Sequence, residues 1–483
     1  MNSSLADASG YHQNRRFLSA FAPSRAKILL FIIAWIHAAS LFAHDYTVGP
    51  EQEFTVIDQV PWERLLPGDR VLIHHRDKPY DSKWVLCRRG TAEQPIIVAG
   101  VPGPNGELPV IDGENAITRP ELRYWGGERG VIKIGGSTMP PDTIPAYLII
   151  ENLDIRRARP PFYFFGVKGV TKYTKNAAAI FIEKGEHIII RNCVLSDCGN
   201  GLFIAPESRN IVVEQCTIGD NGIEQSLYEH NVYTESLGIT FQFNRLTPLR
   251  KGCLGNNLKD RSAGLVVRYN WIDGGNRLLD LVDAEGSDEI RSSPMYGTTL
   301  VYGNIMLKHD GGNNQIMHYG GDSGDEQSYR HGTLHFYHNT VYSDRSGPTT
   351  LVRLSSSGES IDCRNNIIEI AAGGENLALL DDDGSAALWN NWISPGWKDS
   401  RGVLDLEIRG RETTLGGDTP GFRDAKRGDF RLTKDSPCRA AAGPLLPMLV
   451  PDHDVTYEYV KHLRVANRAA GSEHDLGAVG VRE

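Results

Sequence analysis

From residue 148 to residue 391, short runs of alternating apolar and polar residues recur, each closing on an amide side chain. Early copies are Leu148-Ile149-Ile150-Glu151-Asn152 and Ile188-Ile189-Ile190-Arg191-Asn192. Later ones are Leu265-Val266-Val267-Arg268-Tyr269-Asn270 and Leu334-His335-Phe336-Tyr337-His338-Asn339. An Asn or Gln stands at 152, 192, 215, 244, 270, 304, 339, 366 and 391, with gaps of 23 to 40 residues. Alternation over four to six residues is a strand signal, and a fixed period of this length marks a solenoid. Each coil then holds three short strands, with longer gaps taken up by loops at the corners. Asn tolerates the left-handed backbone of a tight corner, and its amide bonds to the amide one coil above. The pattern predicts an all-β, right-handed parallel β-helix with an Asn ladder and loop insertions, and the ladder residues are structural.

Composition narrows the partners. The 483 residues include 51 glycines and carry a formal net charge of −9. A chain with no basic excess has no electrostatic footprint for nucleic acid. Arg15, Arg16, Arg25 and Lys27 precede the apolar run from Ile28 to Phe42, which ends on Ala43. A basic flank, a short apolar core and a small terminal residue read as a secretory signal over residues 1–43, with an uncleaved anchor as the alternative. The expectation is a secreted or periplasmic chain, monomeric and with no stable membrane insertion after cleavage. The β-helix is expected over 44–395, and residues 396–483 as its closing segment or cap. Seven cysteines lack any metal-ligand spacing. Cys193 and Cys216 hold equivalent repeat positions and read as stacked thiols; one disulfide is open, a disulfide framework is not indicated.

Two ends of the repeat region resemble known proteins. Leu66-Pro67-Gly68-Asp69-Arg70-Val71 with Gly90-Thr91-Ala92-Glu93-Gln94-Pro95, and Pro109-Val110-Ile111-Asp112-Gly113, are similar to the first coils of exported bacterial β-helix proteins. Gly428-Asp429-Phe430-Arg431-Leu432 and His474-Asp475-Leu476-Gly477-Ala478 resemble their closing segments. That fold hosts lyases, hydrolases, epimerases, tailspikes and adhesins, so the likeness implies fold before activity.

Strand alternation locates the candidate chemistry. The strands after the corners at 215, 244 and 270 read as Asn231-Val232-Tyr233-Thr234, Asn257-Leu258-Lys259-Asp260-Arg261 and Leu278-Leu279-Asp280-Leu281. With apolar residues inside, Tyr233, Lys259 and Asp280 form one outward column, flanked by Asn231, Asn257 and Arg261. In Gln315-Ile316-Met317-His318-Tyr319 the parity is ambiguous, so either His318 or Tyr319 faces out. A solvated charge ladder is the plain reading of such a column. His230 on the same face and the mixture of Tyr, Lys, Arg and carboxylate favour a site.

His230-Asn231-Val232-Tyr233, followed by Asn257-Leu258-Lys259-Asp260-Arg261-Ser262-Ala263, resembles bacterial β-helix proteins related to polysaccharide lyases. It is also distantly similar to the alginate and chondroitin lyase family, in which an Asn-Lys-Ser segment carries a base Lys. The resemblance implies Lys259 as base, while that family's downstream Arg has no match here and Asp280 lies in that region. Elimination on a uronic-acid polymer needs a base, a cation for the enolate charge and an acid for the leaving oxygen. Lys259, Arg261, Tyr233 and His230 are the catalytic candidates. Asn231, Asn257, Asp280, His318 and Tyr319 are the substrate-binding candidates. The acidic loops Asp283-Glu285-Asp288-Glu289 and Asp322-Asp325-Glu326 offer oxygen ligands for Ca²⁺, with Asp283 and Glu285 foremost. The rivals are a glycoside hydrolase using Asp280 and Asp283, and a polysaccharide-binding surface protein without turnover.

Overall fold

The computed structural model describes residues 43–381, 383–402, 408–450, 452–468, 471 and 474–481. The expected export signal, over residues 1–43, falls outside these apart from Ala43. From Asp45 onward the chain winds as a parallel β-helix with three strands per coil. The first sheet holds the strands before each corner, such as Leu237–Gln242, Ala263–Arg268 and Thr298–Tyr302. The second holds ten strands that follow the corner, from Val110–Asp112 to Trp392–Ile393. The third includes Val232–Thr234, Leu258–Asp260, Leu279–Leu281 and Gln315–Tyr319. The first and third merge into one 25-stranded sheet, because Ala178–Arg191 and Asn200–Glu214 pass through the corner between them unbroken. Inward side chains stack coil on coil: Val213, Phe241, Val267, Val301, Phe336 and Cys363 share one row and are fully buried. This burial of apolar rows is the main favourable term of the fold.

The corner has a finer grammar than the sequence suggests. A residue with positive φ stands at 152, 192, 215, 243, 269, 303, 338, 365 and 390. The ladder residue is the next one. Its backbone N–H donates to the side chain one coil on: Asn244 to Asn270 at 2.9 Å, Asn270 to Asn304 at 2.9 Å, Asn304 to Asn339 at 3.0 Å and Asn339 to Asn366 at 2.8 Å. Asn152, Asn192 and Gln215 are therefore the left-handed corner residues, one place before the ladder. Cys193 and Cys216 occupy the ladder itself, with the Cys216 N–H donating to Asn244 Oδ1 at 2.9 Å. A buried thiol fits the slot because it is small and apolar; all seven cysteines are free. At 303 the corner residue is Gly, and a β-carbon there would stand 2.6 Å from the Tyr269 ring.

The coils continue past residue 395, through Lys398–Ser400 and Ile408–Arg409. Leu415 adds one parallel bridge to Trp392, and beyond it the described residues add no strand to the coils. The chain runs back along the outside, where Phe430, Tyr459 and Val479 cover Trp271, Ile305 and Tyr342 of the second sheet. Leu449 and Val455 cover Tyr269, Tyr302 and Tyr337 of the first.

Outside the second sheet, His309 ties three successive coils. Its Nε2 meets Asp273 at 2.8 Å and its Nδ1 meets Asp344 at 2.8 Å. The hydrogen bond to Asp273 is the chief reason its pKa rises to about 9, with Asp344 adding and burial opposing. A pKa raised by folding stabilises fully below the unfolded value of about 6.5 and is lost as pH climbs through the folded one. The melting-temperature advantage of wild type over His309→Gln is thus expected to shrink between about pH 6.5 and 9. An advantage constant across that range would show that the imidazolium bridge adds nothing.

Candidate active site

Register settles which side chains share the outer face of the third sheet. Phe203 pairs with Tyr233, Tyr233 with Lys259, Lys259 with Asp280, Asp280 with His318 and His318 with Arg353. The expected column of Tyr233, Lys259 and Asp280 is present, and His318 belongs to it. Tyr319 points the other way and is fully buried, its hydroxyl 3.4 Å from Gly297 O. It does not reach the outer face.

Asn231 and Asn257 also differ from expectation. Both are fully buried. Asn231 Nδ2 donates to Asn257 Oδ1 at 2.9 Å, and Asn257 Nδ2 donates to Asp273 O at 2.8 Å. Asn221 joins them through Asn231 Oδ1 at 3.1 Å. These residues precede their strands at the corner between the second and third sheets, so strand alternation does not govern them. They form a second amide ladder rather than a polymer-facing surface.

Lys259 and Arg261 are joined by one carboxylate that the sequence reading placed only among calcium candidates. Asp322 Oδ2 binds Lys259 Nζ, and Asp322 Oδ1 binds Arg261 Nη1 at 2.9 Å. Asp322 follows the Gly320-Gly321 turn after Gln315–Tyr319, and its N–H donates to Asp283 Oδ1 at 2.7 Å. No local signal at 322 separates it from Asp325 or Glu326; only coil stacking brings it to Lys259. Lys259 also meets Asp280 at 3.4 Å. Arg261 Nε donates to Tyr233 Oη at 2.9 Å, and that hydroxyl donates to Glu285 at 3.3 Å.

Asp280 is 2 % exposed and engaged from several sides. Asn256 Nδ2 donates to it at 2.7 Å, His318 Nδ1 at 2.9 Å and Arg277 Nη1 at 3.2 Å. Burial alone would push its carboxyl up, but the His318 bond and the charges on Lys259 and Arg277 hold it well below the usual range. Burial pushes the Tyr233 phenol up to about 12 against the opposing pull of Arg261, so it stays protonated at neutral pH. His230 stacks beside Tyr233 with ring centroids 5.9 Å apart. Burial, aided by Lys259 and Arg261, brings it down to about 3. The ring is therefore neutral, and its Nδ1 already accepts from Asn256 N at 2.9 Å. Beneath the column lies a buried ion pair, Arg330 with Asp260 at 3.3 Å, which also holds the Ser262 and Val282 carbonyls.

Asp283 and Glu285 face Arg261, at 3.6 and 3.5 Å. Among the described residues no group of three or more His, Cys, Asp or Glu is arranged to hold a metal ion. The guanidinium stands where the expected calcium set would need its cation, so the carboxylates present do not fit Ca²⁺ there. The described helices include none long and apolar enough to cross a membrane.

No protein-family model and no curated protein matches this chain. Solved structures do. Pectate lyase Pel9A aligns over 91 % of this chain and 97 % of its own, at 11 % identity and a TM-score of 0.51. An alginate lyase from Paenibacillus sp. str. FPU-7 aligns over 75 % of this chain and 99 % of its own, at 12 % identity and a TM-score of 0.48. The GH136 lacto-N-biosidase from Eubacterium ramulus aligns over 76 % and 68 %, at 14 % identity and a TM-score of 0.41. At these identities the likeness carries the fold and nothing finer: this chain shares the parallel β-helix of pectate lyase Pel9A.

Proposed function

We propose that this protein is a polysaccharide-degrading enzyme, a lyase that cleaves a uronic-acid polymer by β-elimination at the Tyr233–Lys259–Arg261 face. The observation that carries this reading is the direct hydrogen bond from Arg261 to the Tyr233 hydroxyl, one coil from Lys259 in register. It puts an amine, a guanidinium and a phenol within one patch on the outer face of the third sheet. The shared fold with a protein named as a pectate lyase supports an acidic polymer as substrate.

Each group has a step. Arg261 pairs with the substrate carboxylate and stabilises the enolate charge that develops there. Lys259 removes the proton beside that carboxylate. To do so the amine first gives up a proton of its own, and Asp322 is the acceptor in contact with it. Burial would raise the Asp322 carboxyl, but Lys259 and Arg261 hold it below its usual range. A substrate carboxylate at Arg261 raises the proton affinity of Asp322 and of Lys259 alike, and favours the transfer because it sits on the guanidinium that Asp322 itself contacts. Tyr233, still a phenol, protonates the leaving glycosidic oxygen. His230 offers only one free ring nitrogen and stands behind Tyr233, so it supports the phenol rather than replacing it. The hydrolase reading is weaker, because Asp280 and Asp283 are both committed to internal partners.

Incubation with a panel of acidic and neutral polysaccharides tests the class. Ultraviolet absorbance rising in step with new reducing ends is the expected result on an acidic polymer. Reducing ends without absorbance indicate hydrolysis, and neither signal indicates binding without turnover. Asp322→Asn is expected to lower kcat about 10²-fold with KM little changed, since it removes a proton acceptor. Unchanged kcat in steady-state assays would take Asp322 out of the mechanism.

A further inference from the structure

Asp280, His318 and Ser355 come from three successive coils and form one hydrogen-bonded line. Asp280 Oδ1 lies 2.9 Å from His318 Nδ1, and His318 Nε2 lies 2.9 Å from Ser355 Oγ. Asp280 and His318 are paired in register, and Ser355 directly follows the strand Thr349–Leu354 one coil on. Coil stacking at about 4.8 Å sets the spacing, so nothing in the local sequence around Ser355 announces it.

The proton positions follow from the surroundings. Asp280 is ionised, and a carboxylate only accepts, so His318 Nδ1 carries the hydrogen. Burial lowers His318 below the ordinary imidazole value, Asp280 pulls it up, and Arg277 and Arg353 push it down again. The ring is neutral and its Nε2 holds the lone pair. Ser355 is then the donor in the 2.9 Å contact. That is the protonation pattern in which a histidine takes a serine proton while a carboxylate fixes its tautomer. Ser355 Oγ also accepts from Gly321 N at 2.8 Å. The carbonyls of Gly321 and Tyr319, at 2.9 and 3.2 Å, compete for the hydroxyl proton. Arg353, the exposed register partner of His318, is the cation on the outer side.

We propose that Asp280, His318 and Ser355 are a second catalytic constellation on the same face, an acyl-transfer triad that hydrolyses esters of sugar hydroxyls. Ser355 Oγ attacks the acyl carbon while its proton passes to His318 Nε2. The ester C–O bond breaks, and the sugar oxygen leaves with the proton from His318. Water then attacks the acyl-Ser355 bond by the same route, releasing the carboxylic acid and restoring the hydroxyl. The ester chemistry stands on this geometry alone; only the sugar half of the substrate rests on the lyase reading.

The test treats the full-length protein with a fluorophosphonate, which labels activated serines covalently, and locates the adduct by peptide mass. The same protein is assayed for nitrophenolate release from p-nitrophenyl acetate. Labelling of wild type at Ser355 is expected, with release falling at least about 10³-fold in a Ser355→Ala variant whose melting curve shows it still folded. Ser355→Cys, which keeps a nucleophile on the same partners, is expected to be acylated by p-nitrophenyl acetate with a matching mass increase. Absence of label at Ser355 in folded wild type, or equal release by wild type and Ser355→Ala, overturns the triad. Elimination without labelling sinks this proposal alone, and labelling without elimination sinks the lyase reading alone.

Discussion

Lys259→Ala is expected to lower turnover on a uronic-acid polymer by about 10² to 10⁴-fold, the usual worth of a general base. The fold should hardly notice. Asp280, the more deeply buried of the two carboxylates at Lys259, keeps Asn256, His318 and Arg277 as partners. Asp322 keeps Arg261 at 2.9 Å. No buried charge is left bare, so the strong destabilisation that follows from orphaning one is not expected. Lys259→Arg should not rescue, because a guanidinium stays protonated and cannot take a proton. Initial rates by ultraviolet absorbance, alongside a melting curve, separate the two effects. Full activity in Lys259→Ala would remove it as base and leave Tyr233 as the next group to replace.

For stability, the largest effect is expected at Asn270→Leu. Asn270 Oδ1 accepts from the N–H of Asn244 at 2.9 Å and from its Nδ2 at 3.0 Å. Asn270 Nδ2 donates to Asn304 Oδ1 at 3.0 Å and to the carbonyls of Phe241 and Arg268 at 2.9 Å. Leucine has nearly the same size and satisfies none of these. Each buried polar group left without a partner costs about 1–3 kcal/mol, and more than one is left here. Urea unfolding should show a midpoint lowered by several kcal/mol equivalent at an unchanged slope. A shift within experimental error would mean that the ladder is ornamental. Cys216→Ala makes the contrasting case, since a thiol contributes only weak hydrogen bonds and the expected loss is mainly that of a small cavity.

The architecture is legible in the repeat, because the period of the apolar runs is set by the coil and the coil is local. The column of Tyr233, Lys259 and Asp280 was legible for the same reason: in the middle of a strand, alternate residues face opposite sides. Parity ceases to predict direction where strands end. Asn231 and Asn257 sit at corners, where the backbone turns and parity no longer predicts direction, and both went into the wall. Asn152, Asn192 and Gln215 were one place off the ladder because Asn suits both the left-handed corner and the inward slot beside it. Leu153, Cys193 and Cys216 hold that slot in the early coils, where a buried side chain suffices.

What the sequence determined by itself is therefore the solenoid, its corners and the outward parity of the central strand residues, all consequences of short-range periodicity. Contacts made across coils were decided by the tertiary structure alone. Asp322 reaches Lys259 from 63 residues away, and Ser355 reaches His318 from 37. Loops of unequal length separate these residues in sequence, so no fixed spacing encodes their meeting. Stacking at about 4.8 Å per coil brings them together, and it acts on every coil whatever the length of chain between.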